Sequence, residues 1–262
     1  MPQEENAALP GSVRGDGPGL LLVHGGGATA QTTWGPLLPV LSRDFRVVAP
    51  DYSAGGEAKD LDGLVDRHVR TADRAGLDRF GVTGHSFGSA VALRMATRHP
   101  DRVAGLVLTA GFARAAASTR LKVEVWRGLA LGNRELLPWF LMSVMLGDRY
   151  LESLSAEQRE GMAELIGLTV PSGTVEQIEL ILSTDLRREL ALVSAPTLVV
   201  ATTADQLVPA SMSGELAAGI PGARLSELHC GHHPTLEDPA GWIRLIKDFL
   251  GSTVTKTSSA RP

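Results

Sequence analysis

Short runs of apolar residues alternate along the chain with longer stretches whose apolar positions recur at helical spacing. The runs that indicate buried strands are Leu20–Val23, Phe45–Ala49, Phe80–Thr83, Val103–Thr109, Pro196–Thr202 and Ala223–Leu228. Between the second and third of them, Leu61–Ala75 has the spacing of three and four residues that is typical of a helix packed on one face. Strands buried on both faces and separated by helices form parallel sheets. The pattern therefore predicts an α/β fold, with a mostly parallel sheet flanked by helices.

This alternation is interrupted between Gly111 and Leu192, where no strand pattern is present. Helical stretches fill the segment and are broken by glycine and proline residues. We interpret residues 112–191 as a helical cap inserted into a core that is formed by residues 1–111 and 192–250. Because ligands bind at the carboxyl edge of open parallel sheets, the cap is expected to cover that edge. Residues 251–262 are rich in Ser and Thr and are predicted to form a disordered tail.

Large apolar side chains in the cap segment are candidates for lining a substrate pocket. They are Trp126, Trp139, Phe140, Met142, Met145 and Met162. Aromatic and methionine side chains provide the large, adaptable surface that binds apolar ligands. The same residue types also build the internal core of a helical lobe, so each position has two interpretations.

The segment Gly84–Gly88 has the spacing Gly-x-Ser-x-Gly and lies between a predicted strand and a predicted helix. A serine at such a sharp turn adopts a strained backbone conformation that lifts its hydroxyl above the sheet, and the flanking glycines leave room for neighbouring strands. The dipole of the following helix favours negative charge developing at the serine. The motif alone is weak evidence, because glycine and serine are common. In this strand–turn–helix context it predicts that Ser86 is a nucleophile.

A run of three glycines, Gly25–Gly27, follows the first predicted strand and is called the glycine loop below. A serine that attacks a carbonyl group forms a tetrahedral intermediate, whose oxyanion needs two N–H donors. The backbone N–H of Phe87, the residue after the serine, is one candidate, and an N–H of the glycine loop, placed at Gly26, is the other. Glycine runs also form tight turns that have no part in catalysis. The position of this run upstream of Ser86 favours the catalytic interpretation.

Asp205 follows the predicted strand Pro196–Thr202 and is the candidate acid. In enzymes with a serine on a strand-to-helix turn, the acid and then the histidine come after the serine along the chain. A carboxylate just beyond the end of a parallel strand lies at the catalytic edge, where it can orient an imidazole and stabilise its protonated form. The alternative interpretation is a turn or capping residue.

Three histidines follow the last predicted strand and compete for the role of base. His229 is still close to the strand and is interpreted as structural. His232, which follows Gly231 directly, is the preferred base. His233 precedes a proline that restricts its backbone and remains the alternative.

Composition narrows the class of protein further. Of the 262 residues, 44% are hydrophobic and 21% are charged, which is ordinary for a globular chain with a buried core. The formal net charge of −4 provides no basic surface for nucleic acid.

The single cysteine, Cys230, excludes an internal disulfide and a cysteine-based zinc cluster, and we interpret it as a small buried residue. His232 and His233 are adjacent and lack further ligands at metal-binding spacing, which argues against a metal site.

The predicted localisation is based on two patterns that the sequence lacks. Residues Met1–Asn6 are polar and have no signal-sequence pattern, and no run of 18 apolar residues indicates a membrane span. We therefore expect a cytoplasmic protein with a small-molecule substrate and with no membrane or nucleic-acid partner. The sequence does not determine the oligomeric state.

These motifs together resemble the α/β-hydrolase superfamily over nearly all of Leu20–Leu250. The matching pieces are His24-Gly25 with Trp34, Gly84–Gly88, Ala204-Asp205 with Pro209, and Gly231-His232 with Glu237 and Pro239. They are most similar to the small, lid-bearing branch that includes esterases, lactonases, carbon–carbon bond hydrolases and cofactor-free haloperoxidases. The resemblance implies the α/β-hydrolase fold and favours His232 as base and Gly26 as oxyanion donor. The family usually begins with a two-stranded hairpin, but only 19 residues precede Leu20 here, so one or two edge strands are expected to be short or missing.

The resemblance implies a serine hydrolase that cleaves an ester, thioester or lactone of a small-to-medium apolar compound through an acyl-enzyme. Ser86, His232 and Asp205 would form its triad, and no metal or organic cofactor is implied. Two alternatives stay open. Relatives with the same residues cleave carbon–carbon bonds or catalyse acyl transfer and cyclisation in natural-product pathways, and a non-catalytic ligand-binding protein is also compatible with the fold.

Overall fold

The computed structural model describes residues 7–53 and 60–258. Its sheet has seven strands in the order β1-β3-β2-β4-β5-β6-β7. Only β1 is antiparallel to its neighbour, β3. The strands are β1 (Gly11–Arg14), β2 (Gly19–Val23), β3 (Arg46–Pro50), β4 (Phe80–His85), β5 (Val103–Thr109), β6 (Thr197–Thr202) and β7 (Arg224–Leu228). The predicted α/β fold and its parallel sheet are thus confirmed, with boundaries within about two residues of those predicted.

Helices cover both faces of the sheet and fill the long connection between β5 and β6. They are α1 (Ala30–Trp34), α2 (Leu38–Leu41), α3 (Leu61–Arg74), α4 (Phe87–Arg98), α5 (Ala117–Gly132), α6 (Leu137–Met145), α7 (Asp148–Ser153), α8 (Ala156–Thr169), α9 (Thr174–Ser183), α10 (Ala210–Gly219), α11 (Pro234–Glu237) and α12 (Pro239–Ser258), with a short 3₁₀ turn at Leu190–Leu192. The strand β2 explains this layering, because its alternate side chains enter two different cores. Leu21 and Val23 pack on the side of α3, α4 and α10, whereas Leu20 and Leu22 pack on the side of α1, α2 and α12.

The segment predicted to be a cap contains α5 to α9. Its two ends meet at the carboxyl edge of the sheet, where Arg114 and Asp185 form an isolated antiparallel bridge and the Leu186 N–H donates to the Ala113 carbonyl at 2.8 Å. One short pairing therefore closes the base of the insertion. The helices above it bury Trp126, Leu141 and Ile178, which join the core cluster on the α4 side of the sheet.

The C-terminal helix corrects one prediction. A disordered tail was expected from Gly251 onwards, but α12 continues through this residue to Ser258; residues 259–262 lie outside the described residues. Trp242, Ile246 and Leu250 are buried on one face, and Thr253 extends the same face by contacting Gly105 of β5. The Ser252 and Thr253 hydroxyls donate to the Phe249 carbonyl within the helix. Composition alone missed the extension because packing against β5, rather than intrinsic preference, continues the helix.

The amino-terminal edge of the sheet is short, as the resemblance led us to expect. Ahead of Leu20, the described residues contain one short antiparallel strand, β1. Among the described residues no single helix is long and apolar enough to cross a membrane, although α8 and α9, bent by 87° at their junction, pass that test as a pair by length and composition.

Candidate active site

The turn between β4 and α4 places Ser86 in the conformation that its motif predicts. Ser86 has φ 55° and ψ −123°, and its N–H donates to the Thr109 carbonyl at 2.9 Å. A positive φ is rare for a residue with a side chain and has to be held by its surroundings. The flanking glycines allow this packing. A Cβ at Gly84 would overlap the Gly88 carbonyl, and a Cβ at Gly88 would overlap the carbonyl oxygens of Val23 and His24.

The glycine loop lies beside this turn. A Cβ at Gly25 would sit 3.3 Å from the Ser86 Cβ, so the loop backbone passes directly next to the serine. The Gly27 N–H donates to Gln177 Oε1 at 2.7 Å. The N–H groups of Gly26 and Phe87 have no acceptor among the described residues. Two such donors on neighbouring backbone segments beside Ser86 can bind a negatively charged oxygen.

Asp205 and His232 are brought together from two loops that follow β6 and β7. His232 Nδ1–H donates to Asp205 Oδ2 at 2.6 Å. Since a carboxylate can only accept, Nδ1 carries the proton, and Nε2 is the basic nitrogen of the neutral ring. The Thr202 hydroxyl also donates to Oδ2, and the N–H groups of Leu207 and Val208 donate to Oδ1, each at 2.8 Å. These four donors fix the carboxylate, which in turn fixes the orientation of the imidazole.

His232 and Ser86 line the same cavity. The His232 ring centroid lies 4.9 Å from that of His85, the residue before Ser86. The hydrogen bonds of the described residues include none between the Ser86 hydroxyl and His232. In unliganded sites such a bond is commonly long and tightens when substrate binds. The structure therefore places the serine and the histidine around one space, with the carboxylate behind the histidine.

The loop that carries His232 is held by the cap as well as by the core. The His232 N–H donates to the Met145 carbonyl at 2.6 Å, and the His232 carbonyl accepts from His85 Nε2 at 2.7 Å. The Glu237 carboxylate accepts the N–H of Gly231, at 2.9 Å, and that of Gly147, which directly precedes α7. The role of Glu237 was not predicted beyond its place in the motif, because it depends on two loops that meet only in the fold.

His24, His85 and Cys230 are buried near the site, and His233 is half-buried there. Burial lowers the pKa of His233 and that of His24 to about 4, and it lowers the pKa of His85 well below its usual range. The thiol pKa of Cys230 is raised to about 12, by burial first and then by the nearby carboxylates, so the thiol is not a nucleophile. His229 is exposed and contacts the Thr203 hydroxyl at 2.9 Å. Within the described chain, no group of three or more His, Cys, Asp or Glu side chains is arranged to hold a metal ion.

A cavity of about 460 Å³ opens over Ser86 and His232. Four of the predicted substrate-lining residues, Trp126, Met142, Met145 and Met162, line it. The remaining lining from the cap is apolar except for Thr169 and comes from Leu141, Leu146, Leu165, Ile166, Thr169 and Val170. The contribution of α8 was predicted only at Met162, because the other residues of this helix that line the cavity carry no chemical motif.

Two predicted substrate-lining residues do not reach this cavity. Trp139 is 46% exposed, and Phe140 packs against the core cluster instead. Helical periodicity explains the difference, because it turns Leu141, Met142 and Met145 inward together and directs Trp139 to solvent. A list of large apolar residues cannot make this distinction without the orientation of the helix.

Comparisons with known proteins agree with this architecture. The family model described as the alpha/beta hydrolase fold matches residues 18–239. The chain belongs to the α/β-hydrolase fold family. A pyrrolizixenacetamide deacetylase from Xenorhabdus hominickii is 33% identical to this α/β hydrolase over 249 residues, which cover 91% of this chain and 92% of the relative. A 2-hydroxymuconate semialdehyde hydrolase from Pseudomonas sp. (strain CF600) is 31% identical over 252 residues, 90% of this chain and 88% of the relative.

A solved structure supports the same assignment. The crystal structure of a hydrolase from Pseudomonas aeruginosa PA01 superposes with a TM-score of 0.80 at 26% identity and covers 92% of this chain and 93% of its own. The names of the two relatives indicate hydrolases that act on different kinds of bond. Membership of the family thus supports hydrolytic chemistry and leaves the bond type to be argued from the site.

Proposed function

We propose that this α/β hydrolase is a serine hydrolase that cleaves an ester, thioester or lactone of a neutral, small-to-medium apolar compound. The observation that carries the proposal is the hydrogen bond between Asp205 and His232, whose imidazole lines the same cavity as a strained serine. A serine hydroxyl is a weak nucleophile unless a base takes its proton, and an oriented imidazole performs that step.

The proposed reaction follows from the groups around the cavity. The Ser86 Oγ attacks the substrate carbonyl while His232 Nε2 takes the hydroxyl proton, and the carbonyl oxygen becomes an oxyanion next to the Gly26 and Phe87 N–H groups. Collapse of this intermediate breaks the bond to the leaving group, which receives the proton from His232, and forms an acyl-enzyme. Water then attacks the acyl carbon with His232 as base and releases Ser86 and the acid.

The charge of the cavity supports a neutral substrate. Among the described residues that line it, there is no Asp, Glu, Lys or Arg, and the lining histidines His85 and His233 have lowered pKa values and are neutral near pH 7. A substrate carboxylate buried there would lose its hydration without gaining a cationic partner. This argues against carbon–carbon bond cleavage of a carboxylate-bearing compound, the chemistry that the name of the muconate semialdehyde hydrolase indicates.

Amide cleavage is a second candidate function. The deacetylase relative, at 33% identity, is named for an acetamide substrate, and a neutral apolar cavity accommodates an acetamide as well as an ester. Rates on a matched pair of probes, an aryl acetate and the corresponding acetanilide, separate the two functions. Comparable turnover of both probes favours the amide, whereas turnover of the acetate alone favours the ester.

Replacement of Ser86 tests the proposal. Wild type is expected to react with a fluorophosphonate probe and to hydrolyse neutral p-nitrophenyl esters. Ser86→Ala is expected to lose labelling and at least about 10³-fold in kcat, because no other group supplies the nucleophile. Ser211→Ala, which removes an exposed hydroxyl from α10, is the matched control and should behave as wild type. Equal labelling of wild type and Ser86→Ala would refute the assignment.

A further inference from the structure

Side chains of the cap contact the glycine loop, and the proposed reaction does not use them directly. Gln177, on α9, accepts the Gly27 N–H through its Oε1 atom at 2.7 Å and is only 5% exposed. Since a backbone N–H can only donate, the contacting atom of the amide has to be its oxygen. The buried end of a cap helix is thus bonded to the loop that lies beside Ser86.

Two apolar side chains of the cap hold the same loop from other directions. The ring of Trp126, on α5, lies so close to Gly27 that a Cβ at this position would overlap it. Ile181 follows Gln177 by one turn on α9, and its Cδ1 would lie 2.8 Å from a Cβ at Gly26. Gly27 itself has φ 66°, a conformation that favours glycine. The cap therefore contacts two successive glycines through three side chains.

The bond to Gln177 also decides which donors of the loop remain free. The Gly27 N–H is used by Gln177, while the neighbouring Gly26 N–H has no acceptor among the described residues. Donors stabilise an oxyanion effectively only when they are held in position before the charge develops. Three consecutive glycines do not hold a position by themselves, because their backbone has the widest conformational freedom.

We infer that Gln177 is a positioning residue that acts from the cap by holding the Gly27 N–H, so that the Gly26 N–H stays directed at the oxyanion. The inference rests on the proposed function and deepens it. It makes the cap part of the catalytic geometry in addition to its role in covering the substrate.

Gln177→Met tests the inference, because methionine keeps the length of the side chain and removes the amide acceptor. With p-nitrophenyl butyrate, kcat is expected to fall about 10- to 100-fold while KM changes little, since oxyanion contacts form in the transition state. The affinity for an alkylboronic acid, whose serine adduct places an oxygen at the oxyanion position, should fall by the same factor as kcat/KM. A purely structural role would not produce this parallel loss.

Two further variants complete the design. Gln177→Asn keeps the amide but withdraws it from Gly27, and it is expected to show the same losses if the methionine variant is poorly folded. Glu179→Gln changes an exposed residue on the same helix and should leave all rates unchanged. Rates are compared at a temperature at which circular dichroism shows every variant to be folded.

The outcomes separate this inference from the proposed function. Wild-type kcat and boronate affinity in both Gln177 variants, with labelling that still depends on Ser86, would overturn the inference and leave the proposed function standing. Labelling that does not depend on Ser86 would overturn both.

Discussion

At the scale of single residues, the hydrogen bonds of the Asp205 carboxylate support its proposed role of orienting His232. Its two oxygens accept hydrogen bonds from two backbone N–H groups, one hydroxyl and the His232 ring. All four partners are donors, so the site is built for the ionised acceptor form. A carboxylate that served only as a turn residue would accept hydrogen bonds from the two backbone N–H groups alone. The additional imidazole bond is what supports the catalytic interpretation over the turn interpretation.

Asp205→Asn should therefore impair catalysis far more than folding. An amide keeps the shape of the side chain, but its NH₂ group would donate to His232 Nδ1 and hold the ring in the wrong tautomer. We expect kcat to fall on the order of 10³- to 10⁴-fold, while KM for a p-nitrophenyl ester changes little. Asp185→Asn, at a largely exposed ion pair with Arg187, is the control and should retain wild-type kcat. A loss below about tenfold in Asp205→Asn would contradict an orienting role for this residue.

At the scale of elements, the serine turn depends on how closely β4 and α4 approach the end of β2. The backbone of Gly88, in the first turn of α4, passes directly over the Val23 and His24 carbonyls, and the glycine loop begins at the next residue. One close contact between a helix and a strand end thus sets both the position of Ser86 and the start of the loop beside it. This explains why the second glycine of the serine motif, Gly88, leaves no room for a side chain.

Two glycine-to-alanine substitutions test whether this close approach is what requires glycine. They are expected to change the free energy of unfolding in opposite directions. Gly88→Ala should lower the free energy of unfolding by about 1–3 kcal/mol, because its methyl group overlaps two backbone carbonyls that cannot move independently. Gly128→Ala, at an exposed position of α5 with no atom within 4 Å of the added methyl group, should raise it by about 0.5–1 kcal/mol. Urea unfolding measures both. A similar effect of the two substitutions would show that the close approach at Gly88 is not what makes glycine necessary.

At the scale of the whole molecule, buried neutral histidines couple stability to pH. Burial lowers the pKa of His68 to about 3 and the pKa values of His24 and His233 to about 4, from an ordinary value of 6.5. At pH values between these lowered pKa values and 6.5, the histidines bind protons in the unfolded chain but not in the folded chain. The free energy of unfolding therefore decreases as the pH falls through 6.5 towards 4, and it is restored as the pH rises.

His68→Gln should reduce this pH dependence. Each such histidine contributes about 1.4 kcal/mol per pH unit within the window, so the slope of unfolding free energy between pH 6 and pH 4 should decrease by about that amount. Urea titrations at pH 7.5, where neither protein gains a proton at this site, give the cost of the substitution itself. Parallel pH profiles for the two proteins would show that His68 is not buried in its neutral form.

Local patterns in the sequence determined most of the architecture. Apolar runs located the strands from β2 to β7, and the serine motif, the acid after β6 and the histidine after β7 were predicted at the positions that the structure brings to one edge of the sheet. These predictions succeed because each depends on a few neighbouring residues. A buried parallel strand needs a continuous apolar run, and the residue that follows it necessarily lies at the carboxyl edge.

Only the tertiary structure decided which cap residues reach the site. Trp126 and Trp139 are equivalent in the sequence, yet one packs against the glycine loop and the other is exposed to solvent. Gln177 carries no motif and gains its importance from a contact across 150 positions of the chain. The continuation of α12 past Gly251 likewise depends on packing against β5. Such contacts depend on how helices are oriented against each other, and helical periodicity specifies which residues share a face but not what that face meets.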